Sequence, residues 1–181
     1  MRKGSIWVEV SKCLACKSCE FACAVAHSKS KTVHGAIRED PLPESRVSLV
    51  AVEDLAIPLQ CRHCEDAPCV SICPTNALEK TEAEGPVLID VERCIGCKFC
   101  IAVCPFGVIT LSREGKAALK CDLCIDRLKE GEQPACVEAC HTGALRFGTV
   151  SEQVGRTRKD AAERLVTSSE KAEKVKAEDT K

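Results

Sequence analysis

Residues 94–105 read Cys94-Ile95-Gly96-Cys97-Lys98-Phe99-Cys100-Ile101-Ala102-Val103-Cys104-Pro105, four cysteines spaced C-x2-C-x2-C-x3-C with a proline directly after them. The same spacing occurs near the start of the chain at Cys13, Cys16, Cys19 and Cys23. Between these two runs, Cys61, Cys64, Cys69 and Cys73 widen the middle gap to four residues and again end in a proline, Pro74. Beyond them, Cys121, Cys124, Cys136 and Cys140 open that gap to eleven. The four sets use all 16 cysteines of the chain.

C-x2-C-x2-C-x3-C-P is the run with which bacterial ferredoxins hold a [4Fe-4S] cube, the fourth cysteine serving the other cube of a pair. Three thiolates spaced two residues apart wrap a short loop around one face of a cube. The fourth is expected on the first turn of a following helix, pointing away from that loop towards a cube held elsewhere. Proline suits the next position because it cannot continue the preceding hydrogen-bond pattern and fixes its own φ. Two such motifs hold two cubes, and four hold four. Structural zinc uses paired C-x2-C knuckles, and the second and fourth sets each begin with one, so zinc is a rival there. The three-cysteine runs of the first and third sets do not have zinc spacing. Disulfides are disfavoured, because the chain lacks an evident export signal and nothing about them explains a fourfold regularity.

The rest of the 181 residues offer little to hold a fold together. Apolar residues make up 45%, but the cysteines are counted among them, and there is no Tyr, one Trp and four Phe. Aromatic side chains bring the largest burial per residue, so the conventional core is thin. No apolar run approaches the ~20 residues that cross a bilayer. The opening MRKGSIWVEVSK has no apolar core and no small-residue cleavage site. Neither a signal peptide nor a twin-arginine signal is therefore expected, and a reducing cytoplasm is the expected compartment. A net charge of -1 gives no electrostatic footprint for nucleic acid.

The segments after the motifs repeat. Ala77-Leu78 and Val87–Ile89 flank a polar turn at Glu82-Ala83-Glu84-Gly85, and Val108–Leu111 and Ala117–Leu119 flank Arg113-Glu114-Gly115. Each reads as a cluster loop, a helical turn and a tight hairpin. Ala144–Phe147 is expected to pair with Ile6–Val10 and close the outer unit. Residues 24–60, the longest insert, read as a surface loop followed by a strand from Arg46 to Val52, with a partner-docking lobe as the alternative. Residues 151–181 hold eight Lys or Arg, seven Asp or Glu and no Cys or Pro. Ala162, Leu165, Ala172 and Val175 recur there near helical spacing, which predicts a helix or frayed tail with a solvated face. The expected division is a cluster domain over 1–150 and a charged tail over 151–181. Sixteen cysteines already satisfy four cubes, so His63 and His141 are expected beside the clusters or on the surface rather than as ligands. Arg62, Lys98, Lys120 and Arg127 either offset cluster charge or are ordinary surface residues.

With these motifs in place, the chain resembles the four-cluster ferredoxin-like electron-transfer subunits of anaerobic oxidoreductases. Such subunits serve formate dehydrogenases, formate hydrogenlyase, dimethyl sulfoxide and polysulfide reductases, carbon monoxide dehydrogenase and tungsten aldehyde oxidoreductases. The likeness rests on CLACKSCEFACAVAHS from Cys13, CRHCEDAPCVSICPTNAL from Cys61 and CIGCKFCIAVCPFGVI from Cys94, and spans roughly residues 5 to 150. It implies an α+β fold of tandem ferredoxin-like units, an inner pair of motifs within an outer pair. It also implies crossed ligation of four [4Fe-4S] clusters. Cys13, Cys16 and Cys19 would share a cube with Cys140, and Cys121, Cys124 and Cys136 with Cys23. Cys61, Cys64 and Cys69 would share one with Cys104, and Cys94, Cys97 and Cys100 with Cys73.

The resemblance implies a non-catalytic wire that passes single electrons between a tungsten, molybdenum or nickel catalytic subunit and a ferredoxin or flavin partner. Self-stacking into a longer array is compatible with it. The chain has no GxGxxG dinucleotide loop and no phosphate loop, which leaves substrate chemistry to another chain. Each oxidised cube with its thiolates adds about -2, for a loaded charge of about -9, so docking surfaces with basic rims are expected. The rivals are a free polyferredoxin that shuttles between enzymes and a zinc-binding interaction module.

Overall fold

The computed structural model describes residues 4–82 and 85–178, with side chains described through residue 168. The backbone divides into two compact units, Met1–Phe147 and Gly148–Lys181.

The first unit is built from short pieces. Among the described residues, eight strands form four two-stranded sheets. β1 (Ser5–Val8) lies beside β8 (Leu145–Gly148), the far ends of the cluster region brought together. β4 (Leu78–Lys80) pairs antiparallel with β5 (Val87–Ile89), Leu78 opposite Ile89. β6 (Thr110–Leu111) pairs with β7 (Ala118–Leu119) in the same sense. These three pairings are the ones the sequence predicts. Ala83 and Glu84 of the turn between β4 and β5 lie outside the described residues.

The insert differs from its reading as a loop and a lone strand. Thr32 accepts a hydrogen bond from Gly35 N (3.2 Å) and caps a short helix, α2 (Val33–Ala36). β2 (Ser48–Val52) then folds back on β3 (Leu55–Leu59) as a hairpin, Val52 opposite Leu55. The turn Glu53-Asp54, with Glu53 at φ 52, lacks the Asn-Gly or Asp-Gly pair that announces a two-residue turn in sequence. The second strand was hidden for that reason.

The fourth cysteine of each set also sits elsewhere than expected. Cys19 and Cys23 both lie within α1 (Ser18–Ala26). Cys69 lies in α3 (Pro68–Ser71) and Cys100 in α4 (Phe99–Val103). In the fourth set α5 (Ile125–Lys129) fills the wide gap directly after Cys124, and Cys136 lies in α6 (Ala135–Glu138). A helical turn therefore runs between the third and fourth cysteines; in the last three sets the fourth cysteine follows the end of that turn, whereas Cys23 lies within α1. Four residues of helix rise about 6 Å, which separates the two thiols along the axis while leaving them near one face.

The core of this unit has two parts. Ile6, Val47, Leu123, Leu128, Leu145 and Phe147 pack with Cys19, Cys23 and Cys136. Leu78, Val87, Ile109 and Ala118 pack with Cys69 and Cys100. α1 lies against α6 in the first part and α3 against α4 in the second. Large aliphatic side chains contribute roughly 1.5–3 kcal/mol each when buried. In the second part Leu78, Val87 and Ile109 are fully buried, with Val70, Ile89, Ile101 and Val103 partly buried against them.

In the second unit, α7 runs from Val150 to Glu178. It opens with a capping box: Thr149 Oγ1 accepts from Glu152 N (3.2 Å), and Glu152 Oε2 accepts from Thr149 N (2.8 Å). The two side chains satisfy each other's backbone donors at the helix start. Among the described residues no helix is long and apolar enough to cross a membrane.

Candidate metal centres

A shared backbone twist shapes the four cysteine loops. The residue two places after the first cysteine is left-handed in every set: Ala15 (φ 56), His63 (φ 50), Gly96 (φ 67) and Leu123 (φ 60). Left-handed backbone costs an ordinary residue about 1–2 kcal/mol, so its recurrence in all four loops marks a common structural demand. It turns the chain inward, and backbone N–H groups meet sulfur around the sets. His63 N donates to Cys61 Sγ (3.4 Å), Leu123 N to Cys121 Sγ (3.4 Å), Ala118 N to Cys94 Sγ (3.4 Å) and Leu145 N to Cys140 Sγ (3.3 Å). Such bonds stabilise a thiolate more than a thiol.

A second repeat closes three of the sets. Asn76, Gly107 and Gly143 stand three residues after Cys73, Cys104 and Cys140, each at positive φ. Each returns its N–H to that cysteine's carbonyl, at 3.3, 3.2 and 3.0 Å. The first set departs from this pattern because α1 continues past Cys23.

The inner sets face two cavities of similar size. One is lined by Cys94, Cys97, Cys100 and Cys73. The other is lined by Cys61, Cys64, Cys69 and Cys104. Each holds three cysteines from one motif and the last cysteine of the other. In the outer pair, burial and then the neighbouring thiols of Cys121, Cys23 and Cys124 push the Cys136 thiol far up. Burial likewise pushes Cys19 up to about 11 and raises Cys121.

All sixteen cysteines are free. Facing, buried thiols of this kind resist ionising together, and a cationic centre among them reverses that logic. Two buried groups beside Cys61, Gln60 Nε2 and His63 Nε2, have no hydrogen-bond partner among the described residues. The pocket chemistry therefore fits iron–sulfur clusters: four cysteines line each inner cavity, and backbone N–H groups donate to cysteine sulfur around the sets. Exposure is graded. Cys23, Cys121, Cys124 and Cys136 are all buried, whereas Cys16 is exposed.

A polar network missed by the sequence reading surrounds the buried outer set. His27 Nδ1 lies 2.7 Å from Cys23 O and Nε2 lies 3.0 Å from Asp122 Oδ1. Both partners are acceptors, so the ring donates from both nitrogens. Burial alone would lower its pKa, but Asp122, Cys124 and Cys23 raise it to about 11. Asp122 also accepts from Cys124 N (2.9 Å) and from the Arg46 guanidinium, and Arg46 N donates to Cys23 Sγ (3.2 Å). His27 could have been found from its place four residues after Cys23 on a helix.

Of the basic residues singled out, Arg62 and Lys98 are exposed. Arg127 is half-buried in ion pairs with Glu132 and Glu138. Lys120 is fully buried. His141 is exposed, while His63 accepts from Val87 N (3.0 Å) through Nδ1.

Comparison with known proteins agrees with this chemistry. The 4Fe-4S dicluster domain family matches residues 52–150. An iron-sulfur protein of Rhodospirillum rubrum is 46% identical over 154 residues, 78% of this chain and 80% of that protein. The thiosulfate reductase electron transfer subunit PhsB of Salmonella typhi is 40% identical, over 78% of this chain and 73% of that one. The iron-sulfur subunit of the nitrate-inducible formate dehydrogenase of Escherichia coli (strain K12) is 36% identical, over 81% of this chain and 54% of that one. With sixteen cysteines in four sets, the cofactors are four [4Fe-4S] clusters. The chain belongs to the 4Fe-4S dicluster domain family of iron–sulfur proteins.

Proposed function

We propose that the chain is the electron-transfer subunit of an oxidoreductase complex, with crossed ligation of its four clusters. Cys13, Cys16, Cys19 and Cys140 hold one, and Cys121, Cys124, Cys136 and Cys23 the next. Cys61, Cys64, Cys69 and Cys104 hold the third, and Cys94, Cys97, Cys100 and Cys73 the fourth. The observation that carries this reading is the pair of inner cavities, each lined by three cysteines of one motif and the last of the other.

When bound, each cluster takes up and gives up one electron at a time, at a potential set by hydrogen bonds to sulfur, local charge and exposure. The chain's own residues supply these controls. The N–H groups of His63, Leu123, Ala118 and Leu145 stabilise charge on sulfur. Burial of Cys23, Cys121, Cys124 and Cys136 keeps water from that set, and exposed Cys16 marks the set through which a partner exchanges electrons.

We assign the catalytic step to a separate subunit, since the relatives above are named as the electron transfer subunit of a reductase and the iron-sulfur subunit of a dehydrogenase. A tungsten, molybdenum or nickel enzyme of the cytoplasm is the partner we favour, with a ferredoxin or flavin protein as the other end of the wire. Anaerobic purification from native cells tests this. A stoichiometric complex on size exclusion that contains W, Mo or Ni supports it, whereas an isolated chain exchanging electrons with several enzymes would make it a free polyferredoxin.

A further inference from the structure

Lys120 is the largest fully buried side chain among the described residues. Its ammonium donates to Val87 O and to Cys121 O, the latter at 2.7 Å, and no carboxylate pairs with it among the described residues. Burying an ion without a counter-ion is costly enough that buried lysines are almost always paired. Two carbonyl dipoles solvate this one only in part, so its position calls for negative charge close by.

The surroundings supply it from both halves of the fold. Lys120 directly precedes Cys121, in the buried outer set, and donates to its carbonyl. Its other acceptor, Val87, lines the cavity of Cys61, Cys64, Cys69 and Cys104. Val87 is the physical link: its N–H is held by His63 of the second motif and its carbonyl by Lys120 of the fourth. Lys120 therefore stands between the set of Cys61, Cys64, Cys69 and Cys104 and the set of Cys121, Cys124, Cys136 and Cys23. Two other motifs begin differently, since Lys12 and Arg93 at the equivalent place form ion pairs with Glu9 and Asp90.

We propose that Lys120 is the fixed counter-charge shared by these two clusters, raising both of their potentials together relative to the other two. The inference rests on the ligand sets proposed above. A cation beside a cluster favours the reduced form, which carries one more negative charge. Because both clusters face the same ammonium, their potentials move together and the difference between them changes little.

Potentiometric titration of Lys120→Met, followed by electron paramagnetic resonance on anaerobically loaded protein, tests the role. The two central clusters are expected to become harder to reduce by about tenfold in equilibrium constant, 59 mV for one electron, while the two others stay unchanged. Lys120→Arg, which keeps the charge, is expected to restore the wild-type values. Four unmoved potentials in a Met variant with full iron would overturn the role of Lys120 while leaving the wire intact. A wild-type chain without iron would overturn the wire itself. If the Met variant sheds iron, the decision passes to Arg and Gln at this position. Iron retained with Arg but lost with Gln supports the counter-charge; iron retained with Gln, or lost with both, overturns it.

Discussion

Gly96 separates two costs that usually come together. It stands at φ +67 in the third cysteine loop, and a Cβ added there would lie 2.8 Å from Lys116 O. The left-handed backbone alone costs about 1–2 kcal/mol for alanine. Ala15 and Leu123 accept that conformation at the matching place in their loops, so it does not by itself forbid a side chain. The carbonyl contact is the added burden, since Lys116 belongs to the turn between β6 and β7 and must give way, at about 1–3 kcal/mol for an overpacked site. Gly107, at φ +60 with nothing within 4 Å of its Cβ position, is the control that bears only the conformational cost. Cluster absorbance followed anaerobically in guanidinium should bleach fastest in Gly96→Ala, more slowly in Gly107→Ala and slowest in the wild type. The two variants should differ by roughly 5- to 150-fold, the factor that 1–3 kcal/mol commands at 1.4 kcal/mol per tenfold. Equal bleaching rates for the two variants would refute the argument.

Crossed ligation predicts that Cys97→Ser and Cys73→Ser, from different motifs, erase the same spectroscopic cluster and loosen its neighbour; two different clusters lost would break the proposed sets. With a loaded charge of about -9, electron transfer to a partner should slow as salt screens the encounter over a Debye length of about 8–10 Å, and a stopped-flow rate independent of ionic strength would remove electrostatic steering from the account. Chelating the iron should unfold residues 1–147, because metal ligation supplies their folding energy; far-ultraviolet circular dichroism that keeps its hairpin and short-helix signal after iron loss would show that the small core suffices.

Much of the fold was legible because the repeat is covalent. Ala77-Leu78 with Val87–Ile89, and Val108–Leu111 with Ala117–Leu119, announce hairpins through apolar pairs on either side of polar turns, and β1 beside β8 follows from the nesting of the sets. The hairpin of β2 and β3 stayed hidden because Glu53-Asp54 is not a turn pair with a strong signature. The capping box of Thr149 and Glu152 was there to be read in Thr149-Val150-Ser151-Glu152. At the metal centres, spacing singles out the sixteen cysteines, but it says nothing about burial. Lys120 and Lys98 look alike in sequence, each beside a cysteine, yet one is sealed in the interior and the other exposed. The link from His27 to Asp122 spans 95 residues and exists only once the first and fourth motifs have met.

Iron and acid-labile sulfide counted per chain, on protein purified and handled without oxygen, test the central claim most directly. The account predicts about sixteen of each, four cubes of four. Little iron with about one zinc for every four cysteines would contradict it.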